Sequence, residues 1–245
     1  LMKMDYIKHI DLYDYLENNN YFLKRYFNTF QYLLFSIQKL AENDIVHYDM
    51  HLGNVVINKN NNLPIIFDFG LSINISSVKI KKVSNHFFKL APDFSIWCLD
   101  IQIINFFATI QEEPLTLIQL KNIINQYVDN CKAFSLFNTS FIEKYKISSL
   151  NYFEKYIGVK KNEVVNDLLT YHHTWDQYSL CLNYLKLLRN KPIDIKNILV
   201  QSLLKILVMN INPNPTKRYS ISKTIEEFKK IKKIKVTRNY GFGIH

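Results

Sequence analysis

The spacing of apolar residues predicts one long helix followed by short strands in the first part of the chain. Between about residues 24 and 43, apolar positions recur at three- and four-residue steps, which is typical of an amphipathic helix. These positions are Phe30, Leu33, Leu34, Ile37, Leu40 and Ala41. Apolar runs of strand length follow at 45–46, 55–57 and 63–67. The link at 58–62 is rich in Asn, which tolerates left-handed backbone angles, so the last two runs are predicted to form a hairpin.

The rest of the chain has a mainly helical pattern. Helical spacing is found at 97–110, 115–131 and 140–157, and a long apolar helix is predicted after residue 176. A last helix near the C-terminus places apolar residues at three-residue steps, with its lysines on the opposite face. The inward-facing residues are Ile225, Phe228, Ile231 and Ile234. With 48% hydrophobic and 21% charged residues, the composition is that of a globular protein.

The net charge is +10, and basic residues are concentrated near the C-terminus. They are Lys229, Lys230, Lys232, Lys233, Lys235 and Arg238. A basic segment attracts phosphate-rich partners or acidic membrane surfaces. The simpler interpretation, which we favour, is that these residues form the solvated face of the last helix. No aromatic residues alternate with the lysines and no known module accompanies them, so nucleic acid is not expected as a partner.

Membrane insertion and disulfide bonding are not expected. No apolar run reaches the roughly 18–20 residues that span a bilayer, so no transmembrane segment is predicted, and the first residues do not form a signal peptide. The three cysteines are far apart and contain no C-x-x-C pair. They are Cys98, Cys131 and Cys181. Free or buried thiols of this kind are typical of a reducing compartment, which favours a cytoplasmic location.

Two short motifs contain residues suited to phosphoryl transfer. They are His47-Tyr-Asp-Met-His-Leu-Gly-Asn54 and Asp68-Phe-Gly70. Transfer of the terminal phosphoryl group of ATP needs one carboxylate that orients the attacking hydroxyl and accepts its proton. It also needs a carboxylate and an amide oxygen that hold magnesium. Asp49, Asn54 and Asp68 are residues of these types, and the strands predicted around them would bring all three to one edge of a cleft.

These motifs resemble the catalytic loop (H-R-D-L-x-x-x-x-N) and the metal-binding loop (D-F-G) of the protein kinase family. The resemblance implies ATP and Mg²⁺ as cofactors, Asp49 as the catalytic carboxylate, and Asn54 and Asp68 as catalytic residues that bind the metal. It also implies a catalytic contribution from His51, which stands where serine/threonine kinases have a lysine. The residues implied to give structural support in these motifs are His47, Phe69 and Gly70.

The first sixteen residues resemble the last strand of the kinase small lobe, the hinge and the start of the next helix. By this resemblance Met4 is the gatekeeper, and Asp5 to Ile7 form the hinge that binds adenine. Asp11 would lie near the ribose, and Val56 would form the floor under adenine. The sequence contains no Gly-rich loop and no phosphate-binding lysine strand. We therefore expect a mainly α, kinase-like large (C-terminal) lobe with small β-hairpins at the cleft. The small lobe would be largely absent. The chain would then be a fragment of a longer protein, the alternative that we favour, or a remnant that has lost this lobe.

Residues 45–93 resemble the kinase segment from the catalytic loop to the end of the activation segment. Ala91-Pro-Asp93 resembles the A-P-E triplet that closes this segment, with aspartate in place of glutamate. In the family this acid pairs with an arginine near the end of the lobe, and Asn212-Pro-Asn-Pro-Thr-Lys-Arg218 resembles that region. The resemblance therefore implies an ion pair between Asp93 and Arg218.

A kinase large lobe also contains an aspartate that fixes the catalytic loop from behind. Asp176 and Asp100 are the two candidates. We favour Asp176, because Trp175-Asp-Gln-Tyr-Ser-Leu180 resembles the start of the central kinase helix and a long apolar pattern follows it. This assignment implies a helical insertion at about 97–170 that typical kinases lack.

Two departures from the kinase pattern bear on regulation and on the acceptor. Tyr48 replaces the arginine that usually binds a phosphate on the activation segment, and it offers only a neutral hydroxyl to a phosphate on residues 71–90. The run Asp49-Met-His-Leu-Gly-Asn54 is equally similar to small-molecule phosphotransferases of the aminoglycoside and choline kinase type. Phe69-Gly70 favours protein kinases, because the small-molecule enzymes usually lack a complete D-F-G.

The leading hypothesis is transfer of phosphate from ATP to a protein Ser/Thr hydroxyl. A small-molecule phosphotransferase and a kinase-like scaffold without activity are the alternatives. Activity of this chain alone is in doubt, because half of the adenine site is not seen in the sequence. The chain most resembles divergent kinase-like proteins of large DNA viruses. Its many Asn, Ile, Lys, Tyr and Phe residues are typical of an AT-rich genome, which agrees with that resemblance. That resemblance implies a location in host cytoplasm or the virion.

Overall fold

The computed structural model describes residues 7–17, 21–87, 89–109, 114–189, 191, 194 and 196–237, and for 232–237 the backbone alone. Within these residues the fold is mainly helical, with two small antiparallel sheets, as predicted. The α-helices are α1 (Leu12–Glu17), α2 (Phe22–Ala41), α3 (Leu99–Thr109), α4 (Leu117–Asn130), α5 (Thr139–Phe153), α6 (Lys161–Leu169), α7 (Trp175–Leu188), α8 (Ile198–Asn210) and α9 (Ile221–Thr237). The strands are β1 (His9–Asp11), β2 (Ile45–Val46), β3 (Val55–Asn58), β4 (Pro64–Ile66) and β5 (Ile73–Asn74).

Helix α2 confirms the amphipathic helix predicted at about 24–43. Its buried face consists of Phe22, Tyr26, Thr29, Phe30, Leu33, Leu34 and Ile37. Burial of each large apolar side chain contributes roughly 1.5–3 kcal/mol. The Tyr26 hydroxyl donates to the Tyr184 carbonyl oxygen over 2.6 Å, which joins α2 to α7. Asp44, in the left-handed region with a φ of 55°, then turns the chain into β2.

The two sheets flank the loop that joins β2 to β3. Strands β3 and β4 form the predicted hairpin, with Val55 paired to Ile66, and β1 pairs with the other side of β3. Strand β2 pairs with β5, not with β3. The loop at residues 47–54 therefore runs from one sheet to the other, and the D-F-G segment follows where the hairpin ends.

Helices α3 and α7 form the centre of the core. Every residue from Leu99 to Ala108 is buried, and the same holds from Trp175 to Leu185. Because both helices are buried on all sides, neither segment has a solvent-facing polar stripe, and buried polar residues such as Asp100, Gln102 and Asp176 are held there by hydrogen bonds. The three cysteines lie in this core as free, buried thiols, in agreement with the sequence.

The helical patterns predicted at 97–110, 115–131 and 140–157 are confirmed by α3, α4 and α5. Helix α4 begins at a capping box, in which the Thr116 hydroxyl accepts from the Gln119 amide and the Gln119 side chain accepts from the Thr116 amide. Helix α6 was not predicted. It is short, and its buried residues are Val164, Val165, Leu168 and Leu169, too few to stand out as a period in the sequence.

Helix α9 forms the predicted last helix. Of the six basic residues predicted on its solvated face, Lys229 and Lys230 are exposed, and the side chains of the other four lie outside the described residues. Ile225, Phe228 and Ile231 are buried, as predicted, whereas the side chain of Ile234 lies outside the described residues. Lys223 and Lys230 each bind the carboxylates of Glu226 and Glu227 on the exposed side. Among the described residues, no helix is long and apolar enough to cross a membrane.

Candidate active site

The loop after β2 is held in a strained conformation by a buried carboxylate. Tyr48 has a φ of 68°, and a left-handed backbone costs a residue with a side chain roughly 1–2 kcal/mol. This conformation directs two consecutive amides to Asp176 in the first turn of α7. The His47 amide donates to Oδ2 over 2.7 Å, and the Tyr48 amide donates to Oδ1 over 3.1 Å. The prediction that Asp176, and not Asp100, fixes this loop is confirmed. Burial raises the pKa of the Asp176 carboxyl, although the two amide hydrogen bonds act in the opposite direction.

The side chain of Tyr48 points into the core. Its hydroxyl is hydrogen-bonded to the Asn105 amide group at 3.2–3.3 Å, and burial raises its pKa. This hydroxyl is therefore not accessible to a phosphate on residues 71–90, which agrees with the expectation that Tyr48 offers such a phosphate no strong partner. The Tyr48 carbonyl oxygen accepts from Trp97 Nε1 over 2.7 Å, and the ring packs against Phe87. Tyr48 thus holds the loop in place as part of an aromatic cluster.

Two of the residues that position this loop were not found by sequence analysis. Trp97 and Asn183 both bind loop carbonyl groups, the second through its Nδ2 at 3.0 Å from the Met50 oxygen. They lie on different segments, before α3 and within α7. Their distance from the motif in sequence explains why no local signal pointed to them.

The amide of Asn54 holds Asp49. Its Nδ2 donates to the Asp49 carbonyl oxygen over 3.0 Å and to the Asp49 Oδ2 over 3.2 Å. Asn54 is buried, whereas the Asp49 side chain keeps part of its surface exposed. Because the nitrogen faces Asp49, the amide oxygen of Asn54 is the atom left to bind a cation.

His51 lies beside the same carboxylate, over a glycine. Its Nε2 is 3.6 Å from the Asp49 Oδ2. A Cβ on Gly53 would lie 2.8 Å from the His51 Cε1 and 2.9 Å from its Nδ1, closer than such contacts allow. Gly53 is therefore required for the position of the His51 ring.

Asp68 is brought to this site by the residue before it. The Phe67 amide donates to the Asn54 carbonyl oxygen over 3.1 Å, and the Phe67 carbonyl oxygen accepts from His47 Nε2 over 3.0 Å. The chain then turns at Asp68, which has a φ of 60°. These contacts connect the two motifs and leave the Asp68 side chain exposed.

The rest of the D-F-G segment supports Asp68. The Asp68 Oδ1 accepts from the Gly70 amide over 3.3 Å, and a Cβ on Gly70 would lie 3.2 Å from that oxygen. The Phe69 ring packs edge-on against the His47 ring, with centroids 4.8 Å apart. Gly70 thus contacts the Asp68 carboxylate, and Phe69 contacts His47.

The residues assigned to the nucleotide are only partly described. Asp11 and Val56 are paired in the register of β1 and β3, so they lie side by side at the sheet. Asp11 is exposed and Val56 is half-buried. Ile7 is exposed, and its carbonyl oxygen accepts from His9 Nδ1 over 2.9 Å. Met4 and Asp5 lie outside the described residues.

The predicted ion pair between Asp93 and Arg218 is wrong. Arg218 Nη2 donates to the Asp100 Oδ2 over 2.6 Å, and both side chains are fully buried. Asp93 is exposed in the turn before α3. The Ala91-Pro-Asp segment is held instead through its backbone, because the Gln102 amide donates to and accepts from the main chain of Ala91. A carboxylate inside α3 needs a counter-charge, whereas a solvated one does not.

The donor atoms at this site fit a magnesium ion that is also bound by phosphates. Mg²⁺ usually takes one or two protein carboxylates, with water and substrate phosphate as its other ligands. Asp68 has an exposed carboxylate and Asn54 an amide oxygen, and the backbone contact through Phe67 holds their segments together. Within the described ranges, no group of three His, Cys, Asp or Glu side chains forms an all-protein metal site.

Comparison with known proteins agrees with the motifs. Residues 1–93 match a family model described as "ABC1 atypical kinase-like domain". A search of curated proteins gave no match. The matched residues include both motifs and end with Asp93, before α3 begins. The motifs, their geometry and this match together support a protein-kinase-like assignment for residues 1–93.

Proposed function

We propose that this chain supplies the large lobe of an ATP- and Mg²⁺-dependent phosphotransferase that acts on Ser/Thr hydroxyl groups of proteins. The observation that carries the proposal is the contact of Asn54 with both Asp49 and Phe67. The Asn54 side chain contacts the Asp49 carboxylate, and the Asn54 backbone carbonyl oxygen accepts from the amide of Phe67, the residue before Asp68. One buried residue thus contacts both motifs, which two unrelated loop carboxylates would not require.

Each of the three residues has a separate role in this proposal. Asp49 accepts a hydrogen bond from the acceptor hydroxyl, orients it, and takes its proton. Asn54 keeps the Asp49 carboxylate in position through its nitrogen and holds the cation through its oxygen. Asp68 contributes the second protein ligand. When bound, Mg²⁺ offsets the negative charge of the triphosphate.

The surface beside Asp68 supports the proposal of a large lobe that packs against further structure. Phe67, Phe69 and Leu71 are 41%, 45% and 39% exposed, at alternate positions of one segment. Neighbouring exposed apolar residues of this size usually mark a contact surface. A second lobe placed over them would also enclose the nucleotide and exclude water from the site.

A small-molecule acceptor is the second candidate, and His51 is the observation that favours it. The imidazole lies 3.6 Å from Asp49, where serine/threonine kinases have a lysine, and Gly53 makes room for it. The match to an atypical kinase-like family agrees with an unusual acceptor. In this case His51 would bind the acceptor next to Asp49.

The proposal is tested by phosphate transfer from radiolabelled ATP in the presence of Mg²⁺. The protein is expressed with any coding sequence that precedes Leu1, and protein acceptors are compared with small alcohols and amino sugars. Asp68→Asn is expected to lower turnover at least about a hundredfold. It removes a ligand of the Mg²⁺ ion, which stabilises the negative charge that develops on the phosphoryl group during transfer. Asp93→Asn, which changes an exposed carboxylate, is the matched control and should retain full activity.

Labelling of a protein substrate supports the leading proposal, and labelling of small alcohols alone supports the second candidate. Full activity of Asp68→Asn would contradict both. Nucleotide binding without transfer to any acceptor, with wild-type and Asp68→Asn proteins behaving alike, would favour a scaffold without activity.

Gly53→Ala is expected to lower phosphoryl transfer about tenfold, because the new methyl group displaces the His51 ring from Asp49. The measurement is kcat for the acceptor identified above, compared with the kcat of His51→Ala. The double variant Gly53→Ala/His51→Ala should be no slower than His51→Ala alone, since both changes act through the same ring. An additional loss in the double variant would show that Gly53 acts in another way.

A further inference from the structure

A concave site lies away from the proposed active site, between α1, the start of α2 and the end of α7. It has a volume of about 340 Å³, within the range of pockets that hold small ligands. Its lining contains none of the residues of the two motifs. The apolar part of the wall consists of Tyr13, Leu16, Phe22 and Leu187.

The charged part of the wall is strongly basic. It consists of Lys132, Lys186, Arg189 and Lys191, with Glu17 as the one acid that lines the pocket. Lys132 lies in the short 3₁₀ helix after α4, whereas the other three cations lie at or just after the end of α7. The end of α7 attracts cations through the helix dipole. That attraction does not explain why Lys132, from a separate segment, lines the same cavity.

Lys186 has no ion-pair partner in the described part of the chain, although Glu17 lines the same cavity. Its ammonium group is half-buried and forms no ion pair with a described carboxylate, and desolvation lowers its pKa. The neighbouring thiol of Cys131 does not neutralise it, because burial raises the pKa of that thiol and keeps it protonated. A half-buried cation without a partner is costly, and an anion in the pocket would remove the cost.

The apolar part of the pocket wall indicates what kind of group an anionic ligand carries besides its charge. The Tyr13 ring is 51% exposed, and the Phe22 ring is contacted by Lys191 at 5.3 Å from its centroid. An exposed aromatic face stacks against other ring systems, and the cations beside it attract negative charge. We propose that this pocket binds a small molecule with a phosphate group on an aromatic or heterocyclic ring, the phosphate facing Lys186 and the ring facing Tyr13.

The proposal is tested by calorimetric titration of the 245-residue chain with phenyl phosphate, inorganic phosphate and phenol as probes. Phenyl phosphate is expected to bind at least about tenfold more tightly than either of the other two, because only it engages both parts of the wall. Lys186→Met is expected to weaken phenyl phosphate binding at least about tenfold while keeping the apolar stem of the side chain.

Lys223→Met is the matched control. Lys223 is also a partly exposed lysine on a helix, but it is paired with Glu226 and Glu227 and lies outside the pocket. Its replacement should leave phenyl phosphate binding unchanged. Equal losses in the two variants would show a general effect of charge and overturn the proposal, as would the absence of phenyl phosphate binding to the wild-type chain.

The thermal unfolding temperature separates loss of binding from loss of folding. Without phosphate, Lys186→Met should unfold at the same temperature as the wild type or higher, because an unpaired half-buried charge has been removed. Phenyl phosphate should raise the unfolding temperature of the wild type and of Lys223→Met, but not of Lys186→Met. A lower unfolding temperature for Lys186→Met without ligand would show that the ammonium has a partner within the chain and overturn the proposal.

Discussion

Replacing Asp100 by Asn is expected to lower the free energy of unfolding by about 3–5 kcal/mol, because it leaves a buried guanidinium without its counter-charge. Arg218 Nη2 and the Asp100 Oδ2 are 2.6 Å apart, and neither side chain is exposed. Within the described residues, the other contacts of Arg218 are to neutral groups: the Asn212 and Pro213 carbonyl oxygens, the Thr174 hydroxyl and the Tyr178 ring. Urea unfolding followed by circular dichroism measures the effect.

Asp93→Asn is the control, since Asp93 is the exposed acid that the kinase pattern assigns to Arg218. It should change the free energy of unfolding by less than about 0.5 kcal/mol. The double variant Asp100→Leu/Arg218→Met should lose less stability than Asp100→Asn, because it removes both charges. If Asp93→Asn were as damaging as Asp100→Asn, the assignment of the ion pair to Asp100 would be wrong.

Asp176→Ala is expected to affect both stability and activity. It leaves the buried amides of His47 and Tyr48 without an acceptor, at a cost of about 1–3 kcal/mol each in the free energy of unfolding. Without these bonds the left-handed turn at Tyr48 relaxes, and Asp49 moves with it. A displacement of about 1 Å at a catalytic group lowers kcat by about a hundredfold.

Hydrogen exchange at the two amides tests this mechanism directly. Protection at His47 and Tyr48 should fall in Asp176→Ala, beyond the change at buried amides elsewhere in α7. Asp176→Asn keeps one oxygen acceptor and should give an intermediate loss of stability, protection and kcat. Unchanged protection at His47 and Tyr48 in Asp176→Ala would refute the role of this carboxylate.

The part of the site that was predictable from sequence is the part built by neighbouring residues. The order of Asp49, Asn54 and Asp68, with apolar runs between them, predicted a hairpin that carries both motifs to one edge. Both the strand period and the turn chemistry are local properties, so they could be read without knowledge of the fold. Asp176 was also predicted, because Trp175-Asp-Gln-Tyr-Ser-Leu180 is a local pattern in front of an apolar helix.

The residues that support the site from a distance were not predictable in the same way. The kinase pattern pointed to Asp93 as the partner of Arg218, but helix packing places Asp100 inside the core and Asp93 at the surface. Trp97 and Asn105 bind the backbone and hydroxyl of Tyr48, although nothing near them in sequence marks them as positioning residues.

The sequence by itself determined the long helix α2, the hairpin and the order of the three candidate catalytic residues. These depend on spacings within a few turns or strands, where the backbone period decides which side chains share a face. Only the tertiary structure decided which acid meets Arg218, 118 positions away, and that Tyr48 is buried. It also brought Lys132 and Lys186 to one pocket. The physical reason is that burial and the pairing of charges depend on which segments pack together. The spacing of residues in the sequence does not determine that packing.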